Sequence, residues 1–140
     1  MVIAVLSVAA WVLGHGSAEA DTPTKTEPAK VEHLENSELS RVILTQRAAE
    51  RLAIETAVVH DEQVGGAPRK VIPYAAVLYD AQGATWTYTS PEPLVYIRHS
   101  ITVERIEGNL AVLSDGPDNG VTVVTVGAAE LYGTEYGVGH

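Results

Sequence analysis

The sequence predicts a mainly β protein, a small antiparallel barrel or sandwich with one short helix near the N-terminal end of its domain. Its apolar residues are rich in Val, Ile and Ala, with no Phe and one Met, which favours pleated strands over helical packing. Apolar and polar residues alternate in several short segments. Glycine, proline and aspartate turn signals separate these segments at intervals typical of small barrels and sandwiches.

The first 38 residues divide into two segments that precede the predicted domain. Residues 1–20 read as a signal peptide or N-terminal anchor, because an apolar run over Val2–Leu13 is followed by small residues that close with Ala18 and Ala20, a candidate cleavage signal. The run is shorter than the roughly 20 residues of a membrane span. Residues 21–38 are rich in Thr, Pro, Glu and Lys, which predicts a disordered linker.

Residues 39–66 form a predicted strand–helix–strand block. The segment "RVILT" (41–45) reads as a short strand, and Thr45 is a candidate N-cap for the helix "QRAAERLAI" that follows it. Spacings of four place the apolar side chains of that helix on one face. The segment "ETAVVHDE" is then predicted as one further strand, and "QVGGAPRK" as a break.

Residues 67–131 form a predicted β-domain, and residues 132–140 a flexible tail rich in Gly and Tyr. The segment "DAQG" suits a hairpin turn with Gly83 at positive φ. A long strand region, "PEPLVYIRHSITVERI", follows, with a bend expected near Arg98–Ser100. We expect deletion of the tail to leave folding intact.

Composition excludes several classes of function. The net charge of −9 provides no basic stripe for neutralising phosphates, so no nucleic-acid partner is expected. The absence of Cys removes disulfides, thiolate metal sites and cysteine nucleophiles. The histidines form no compact ligand pair, and no serine lies in a nucleophile elbow. We therefore expect no enzyme activity, no cofactor and no metal site.

The acidic residues do not change this expectation. Three candidate groups are Glu104 with Glu107, Asp115 with Asp118, and Glu130 with Glu135 and His140. The first two groups lie at predicted strand ends or turns, where carboxylates usually form turns or face solvent. The third has spacings of five, which suit neither a helix face nor a strand face, and its glycines supply no rigid frame for a metal.

An aromatic stripe is the feature that most invites a binding function. Trp86, Tyr88 and Tyr96 are expected to meet across neighbouring strands, where a core or cross-strand ladder is commoner than a ligand platform. The tail tyrosines are four residues apart and suit either packing on the barrel or contact with a partner at a membrane surface. The residues we expect to contact a partner are Tyr96, Arg98, His99, Tyr132 and Tyr136.

Two segments resemble the periplasmic adaptor subunits, or membrane fusion proteins, of resistance-nodulation-division (RND) efflux pumps. In "RVILTQRAAERLAIETAVV", an alanine, Ala53, stands where the family usually has Gly. The matching residues of this segment are Thr45, Ala49, Leu52, Ile54 and Thr56. Those of the C-terminal segment are Val71-Ile72-Pro73, Ala76-Val77, Gly83, Gly120, Val123-Val124, Gly127-Ala128 and Leu131. The match covers roughly residues 40–136 and relates 67–131 to the family's membrane-proximal β-domain.

The resemblance implies a truncated adaptor. Full adaptors insert a lipoyl-like domain and an α-helical hairpin where this chain has only "HDEQVGGAP". The implied function is a non-catalytic, exported module that associates with an inner-membrane RND transporter, with other adaptor subunits or with both, in export of metal ions or small molecules. The implied location is the periplasm, or the periplasmic face of the inner membrane if the N-terminal segment is retained. Homo-oligomer formation stays open. The alternative is a pump-independent periplasmic protein that binds a metal or small ligand through His60, His99 or the tail.

Overall fold

A computed structural model describes residues 27–137, which fold into strands joined mostly by tight turns and two α-helices. The strands are β1 (Ala29–His33), β2 (Ser40–Leu44), β3 (Glu55–Val58), β4 (His60–Val64), β5 (Ala67–Pro73), β6 (Leu78–Tyr79), β7 (Thr85–Glu92), β8 (Val95–Glu107), β9 (Leu110–Asp115) and β10 (Thr122–Val126). The helices are α1 (Gln46–Arg51) and α2 (Ala128–Glu135), and a 3₁₀ turn spans Tyr74–Ala76. The predicted mainly β, antiparallel class is confirmed.

The sheet curls into a half-barrel because the strands at its two ends, β3 and β4, belong to one continuous segment of the chain. Its strands follow the order β3-β10-β7-β8-β9-β5-β4, with every described pairing antiparallel. The end strands β3 and β4 are consecutive in the chain and meet at Val59. The backbone of this fully buried residue donates to Val121 O at 2.9 Å and accepts from Gly120 N at 2.8 Å. The single strand expected over "ETAVVHDE" is therefore divided at Val59.

The prediction of a disordered linker over residues 21–38 is wrong for Ala29–His33, which forms β1. This strand pairs with all five residues of β2. Ala29 and Val31 alternate with Lys30 and Glu32, but two apolar residues within a segment rich in Thr, Pro and Glu are too few to mark a strand. Glu32 lies directly opposite Arg41 in the ladder and forms an ion pair with it at 3.3 Å, and such cross-strand charge pairs stabilise antiparallel ladders.

Helix α1 begins at the predicted cap. The Thr45 Oγ1 accepts a hydrogen bond from Ala48 N at 3.1 Å. At the other end, Ala53 N donates to Glu50 O and Ile54 N donates to Ala49 O, the two hydrogen bonds of a Schellman motif. Ala53 has φ +53°, the left-handed conformation in which glycine is favoured. The adaptor family's usual glycine coincides with this position.

The two sequence blocks, 39–66 and 67–131, form one interleaved sheet. β3 pairs with β10, β2 pairs with β8, and β4 forms a hairpin with β5. The break expected over "QVGGAPRK" is confined to Gly65 and Gly66, which form the turn of that hairpin at positive φ, whereas the other six residues of the segment belong to β4 and β5. The predicted "DAQG" turn is confirmed, with Gly83 at φ +84°.

Strand β8 is long enough to belong to both halves of the sheet. Its first part pairs with β2 and β7, and its last part pairs with β9. The register shifts between Thr102 and Arg105, so the irregularity lies after the Arg98–Ser100 stretch where the sequence suggested a bend. Residues 98–100 continue in regular register with β7.

Two apolar clusters lie on opposite faces of the sheet. The inner cluster contains Val123 and residues of β5, β8 and β9. The outer cluster contains the neighbouring Val124, and α1 and α2 contribute Ala48 and Leu131 to it. Tyr88 and Tyr96 of the predicted aromatic stripe are buried in the outer cluster, so this part of the stripe is core.

The prediction of a flexible tail over residues 132–140 is wrong for its first part, because Ala128–Glu135 forms α2. The helix follows Gly127 at φ +99° and covers the outer cluster with Ala128 and Leu131. Helix formation there was not expected because Gly133 disfavours helix and few apolar residues mark a face.

Several predictions fall outside the described residues. These are the signal peptide or anchor over 1–20 with Ala18 and Ala20, the start of the linker over 21–26, and His140. In the described part of the chain, no helix combines the length and apolar character needed to cross a bilayer.

Candidate functional site

The five predicted partner-contact residues do not form one exposed surface. Tyr96 and Arg98 are buried, each about 4% exposed. Tyr132 packs partly buried against the outer cluster, whereas His99 and Tyr136 are exposed. Of these five residues, Arg98, Tyr132 and Tyr136 come together, and they do so around a residue that the sequence analysis did not single out for this role, Glu135.

Arg98 and Glu135 form a buried, two-point ion pair. The Arg98 Nε donates to Glu135 Oε1 at 2.9 Å, and its Nη2 donates to Oε2 at 3.0 Å. The two side chains are 3% and 2% exposed. Parallel hydrogen bonds from a planar guanidinium fix both the position and the orientation of the carboxylate.

Two tyrosine hydroxyls complete the polar contacts of this pair. The Tyr88 hydroxyl donates to Glu135 Oε1 at 2.7 Å, and Arg98 Nη2 donates to the Tyr136 hydroxyl, also at 2.7 Å. Burial, and then the neighbouring carboxylate of Glu135, raise the pKa of Tyr88. Burial also raises the pKa of Tyr136. Both tyrosines therefore stay neutral at any physiological pH.

The electrostatics of Arg98 favour a permanent charge. Burial alone lowers the pKa of its guanidinium, but the hydrogen bonds and negative charge of Glu135 outweigh burial and raise the pKa overall. The guanidinium carbon lies 4.2 Å from the ring centroid of Trp86, and 5.7 and 5.3 Å from those of Tyr132 and Tyr136. Aromatic faces at these distances attract a cation.

We call Trp86, Tyr88, Arg98, Glu135 and Tyr136 the Arg98 cluster. The sheet positions its first three members, because Tyr88 lies opposite Arg98 in the β7–β8 ladder and Trp86 lies two residues before Tyr88 on the same face. Helix α2 supplies Glu135, and Tyr136 follows immediately as its C-cap. The Trp86 indole donates to Asp80 Oδ2 at 2.9 Å, and this hydrogen bond lowers the pKa of Asp80.

The Arg98 cluster has the character of a structural latch. The opposite charges of Arg98 and Glu135 compensate each other within the cluster, and the guanidinium lies over the rings of Trp86 and Tyr136. The hydrogen bonds that Glu135 accepts from Tyr88 and Arg98 hold the end of α2 against the sheet. Sequence reasoning missed it because Glu135 lies on α2, which the sequence did not predict.

A second polar pair lies at the sheet end, on β4. The His60 Nε2 lies 2.7 Å from Glu62 Oε2, and its Nδ1 lies 3.0 Å from Val58 O. The carbonyl of Val58, and then Glu62, raise the pKa of His60. The sequence analysis considered His60 only as a ligand-binding residue, but residues two apart share a strand face, and the spacing of His60 and Glu62 was the available signal.

The remaining acidic residues form local contacts. Glu104 lies in ion pairs with Arg69 and Arg105, and Glu107 pairs with Arg105 at 2.8 Å. The Asp118 carbonyl accepts from Val121 N in the turn before β10. Within residues 27–137, no three His, Asp or Glu side chains converge in a way that could hold a metal ion.

Comparisons with protein-family models, with curated proteins and with solved structures find no match for this chain. The resemblance to efflux adaptors stays an expectation from the residues of the two segments named in the sequence analysis.

Proposed function

We propose that this chain is a non-catalytic, exported adaptor module that docks onto an inner-membrane RND transporter, alone or with other adaptor subunits. It acts by protein contacts, without a cofactor, in the export of metal ions or small molecules. By the same resemblance, a chain without the α-helical hairpin does not extend to an outer-membrane channel. Its place is the membrane-proximal layer of such an assembly.

The observation that carries this proposal is the pairing of the two adaptor-like blocks in one sheet. β3 pairs with β10 and β2 pairs with β8, although a full adaptor separates these blocks by its inserted domains. In this chain the insertion point is the β4–β5 hairpin, which closes directly over Gly65 and Gly66. A membrane-proximal unit that closes without the insertion supports the idea of a self-sufficient short adaptor.

The character of the polar residues also supports contact rather than catalysis. The Arg98 cluster is satisfied internally, and the His60–Glu62 pair stands on an exposed strand with no nucleophile or metal group beside it in the described residues. These features favour the adaptor proposal over the alternative of a metal-binding protein.

The test is direct binding to purified transporters. The full chain, tagged at its C-terminus and purified in detergent, is passed over each RND transporter of the source organism held in nanodiscs. We expect saturable binding to one transporter and none to an unrelated inner-membrane transporter in the same nanodiscs. The complex should also form in cells, where cross-linking of the tagged chain should recover the same transporter.

Absence of binding to every RND transporter would refute the proposal. Titration calorimetry with zinc, copper and nickel on the same preparation addresses the alternative. Tight binding of a metal together with no transporter binding would favour the ligand-binding function.

A further inference from the structure

A groove on the outer face of the half-barrel lies between α1 and the turn that joins β7 to β8. Its volume is about 590 Å³. On the α1 side its wall contains Ala49, Ala53 and Ile54, and on the other side Pro91 and Leu94. An open groove with apolar walls commonly binds a peptide segment.

The charge carried by the groove is negative. Among the residues that the structure describes, Glu50 and Glu92 are the only charged ones that line it, and both are exposed. Neither carboxylate forms an ion pair within residues 27–137, and Glu50 accepts only a side-chain hydrogen bond from Gln46 at 3.2 Å. The groove therefore combines apolar wall residues and neutral polar ones, such as Ser90 and Thr122, with two negative charges that form no ion pair, and its complement is a segment that carries apolar side chains and a cation.

The walls are held in place before any partner arrives. Leu94 has φ +67°, and its carbonyl accepts from Leu44 N at 2.9 Å. Ala53 is held at φ +53° by the Schellman motif that ends α1. Since the backbone on both sides is fixed by hydrogen bonds to the rest of the fold, a ligand pays little conformational entropy for ordering the groove.

We propose that this groove binds a peptide segment of a partner protein in which an Arg or Lys side chain is flanked by apolar residues. The apolar side chains lie against the alanine, isoleucine and leucine walls, and the cation lies between Glu50 and Glu92. The identification of the partner as the transporter rests on the proposed function, whereas the chemistry of the segment does not.

The first experiment tests that chemistry without a transporter. A phage library of random 12-residue peptides is selected on the full chain, and the enriched peptides are synthesised. We expect a consensus of Arg or Lys between apolar residues. Glu50→Gln/Glu92→Gln should weaken binding of these peptides by about ten-fold or more, because charge-assisted contacts are lost. The control Glu104→Gln/Glu107→Gln removes the same charge from exposed positions on β8 and should change binding less than two-fold.

Either of two results would overturn the proposal. One is enrichment of no basic-apolar consensus; the other is equal weakening by the groove variant and its control, since general attraction to an acidic protein would produce it. Both variants are checked by circular dichroism, and we expect both to fold because all four substituted side chains are exposed.

The second experiment separates the groove from the proposed function. The same variants are measured against the transporter that binds the unaltered chain. Loss of binding with the groove variant alone supports both proposals. Unchanged transporter binding places docking on another surface and overturns the groove as the transporter site. Peptide binding without any transporter binding leaves the groove in place and refutes the adaptor function.

Discussion

Removing the charge of Glu135 should cost a large part of the stability of this small domain. In Glu135→Leu, Arg98 keeps a guanidinium that is 3% exposed but loses both of its hydrogen bonds to the carboxylate. Breaking a buried pair in this way typically costs about 3–5 kcal/mol. Because domains of this size have total stabilities of about 5–15 kcal/mol, the variant should unfold at much lower urea concentration.

A double-mutant cycle shows whether the pair itself is responsible. Arg98→Met combined with Glu135→Leu replaces both charges by apolar groups. It leaves the Tyr88 hydroxyl without its acceptor, at a cost of about 1–3 kcal/mol, whereas the exposed Tyr136 hydroxyl, which loses its donor, can bind water instead. The double variant should therefore be more stable than either single variant. The matched control is Glu107→Leu, whose ion pair with Arg105 is exposed and should contribute no more than about 1 kcal/mol.

The assay is equilibrium urea unfolding followed by circular dichroism and by tryptophan fluorescence. The reasoning would be refuted if Glu135→Leu lost no more stability than Glu107→Leu. It would also be refuted if the two single losses were additive in the double variant, since additivity means that the residues do not interact.

Three further predictions concern single positions. Ala53→Gly should raise the free energy of unfolding by about 0.5–1 kcal/mol, because glycine relieves the φ of +53° at an exposed position; a lower urea midpoint would contradict this. Gly127→Ala should destabilise the fold by more than about 1 kcal/mol, since alanine is strained at φ +99° and its Cβ would also displace the end of the Ile54 side chain; an unchanged urea midpoint would argue against this strain. Glu62→Gln should lower the pKa of His60, measured by NMR titration, and an unchanged pKa would exclude the pair. Because the folded pKa of His60 is raised, its small contribution to stability is complete below the unfolded pKa of about 6.5 and is lost as pH rises through the folded value.

Local signals predicted the parts of this fold that local chemistry determines. Thr45 caps α1 because a threonine at that position satisfies a free backbone N–H. Gly83 takes a positive φ because the "DAQG" turn requires it. The strand that precedes α1 also follows from residues within a few positions of each other.

The remaining features depend on pairings between distant residues. β1 lies in a segment with few apolar residues and becomes a strand because β2 supplies its hydrogen bonds and Arg41 its cross-strand charge. Glu135 looked like a solvated tail carboxylate, and only the folded sheet brings Arg98 and Tyr88 to it. The sequence analysis expected the protein to fold without its tail. Because Glu135 lies in that tail, we now predict that deletion of the tail removes the ion pair between Arg98 and Glu135.

The closure of the half-barrel on one segment has a consequence for the order of folding. Val58 on β3 pairs with Thr122 on β10, near the end of the chain. Most of the domain therefore leaves the ribosome or translocation channel before β3 can pair with β10. Pairings between residues so distant in sequence also form slowly. The nascent chain should stay open until its last strand and α2 emerge, and a rapid pulse of protease during synthesis should digest every truncated intermediate that lacks β10.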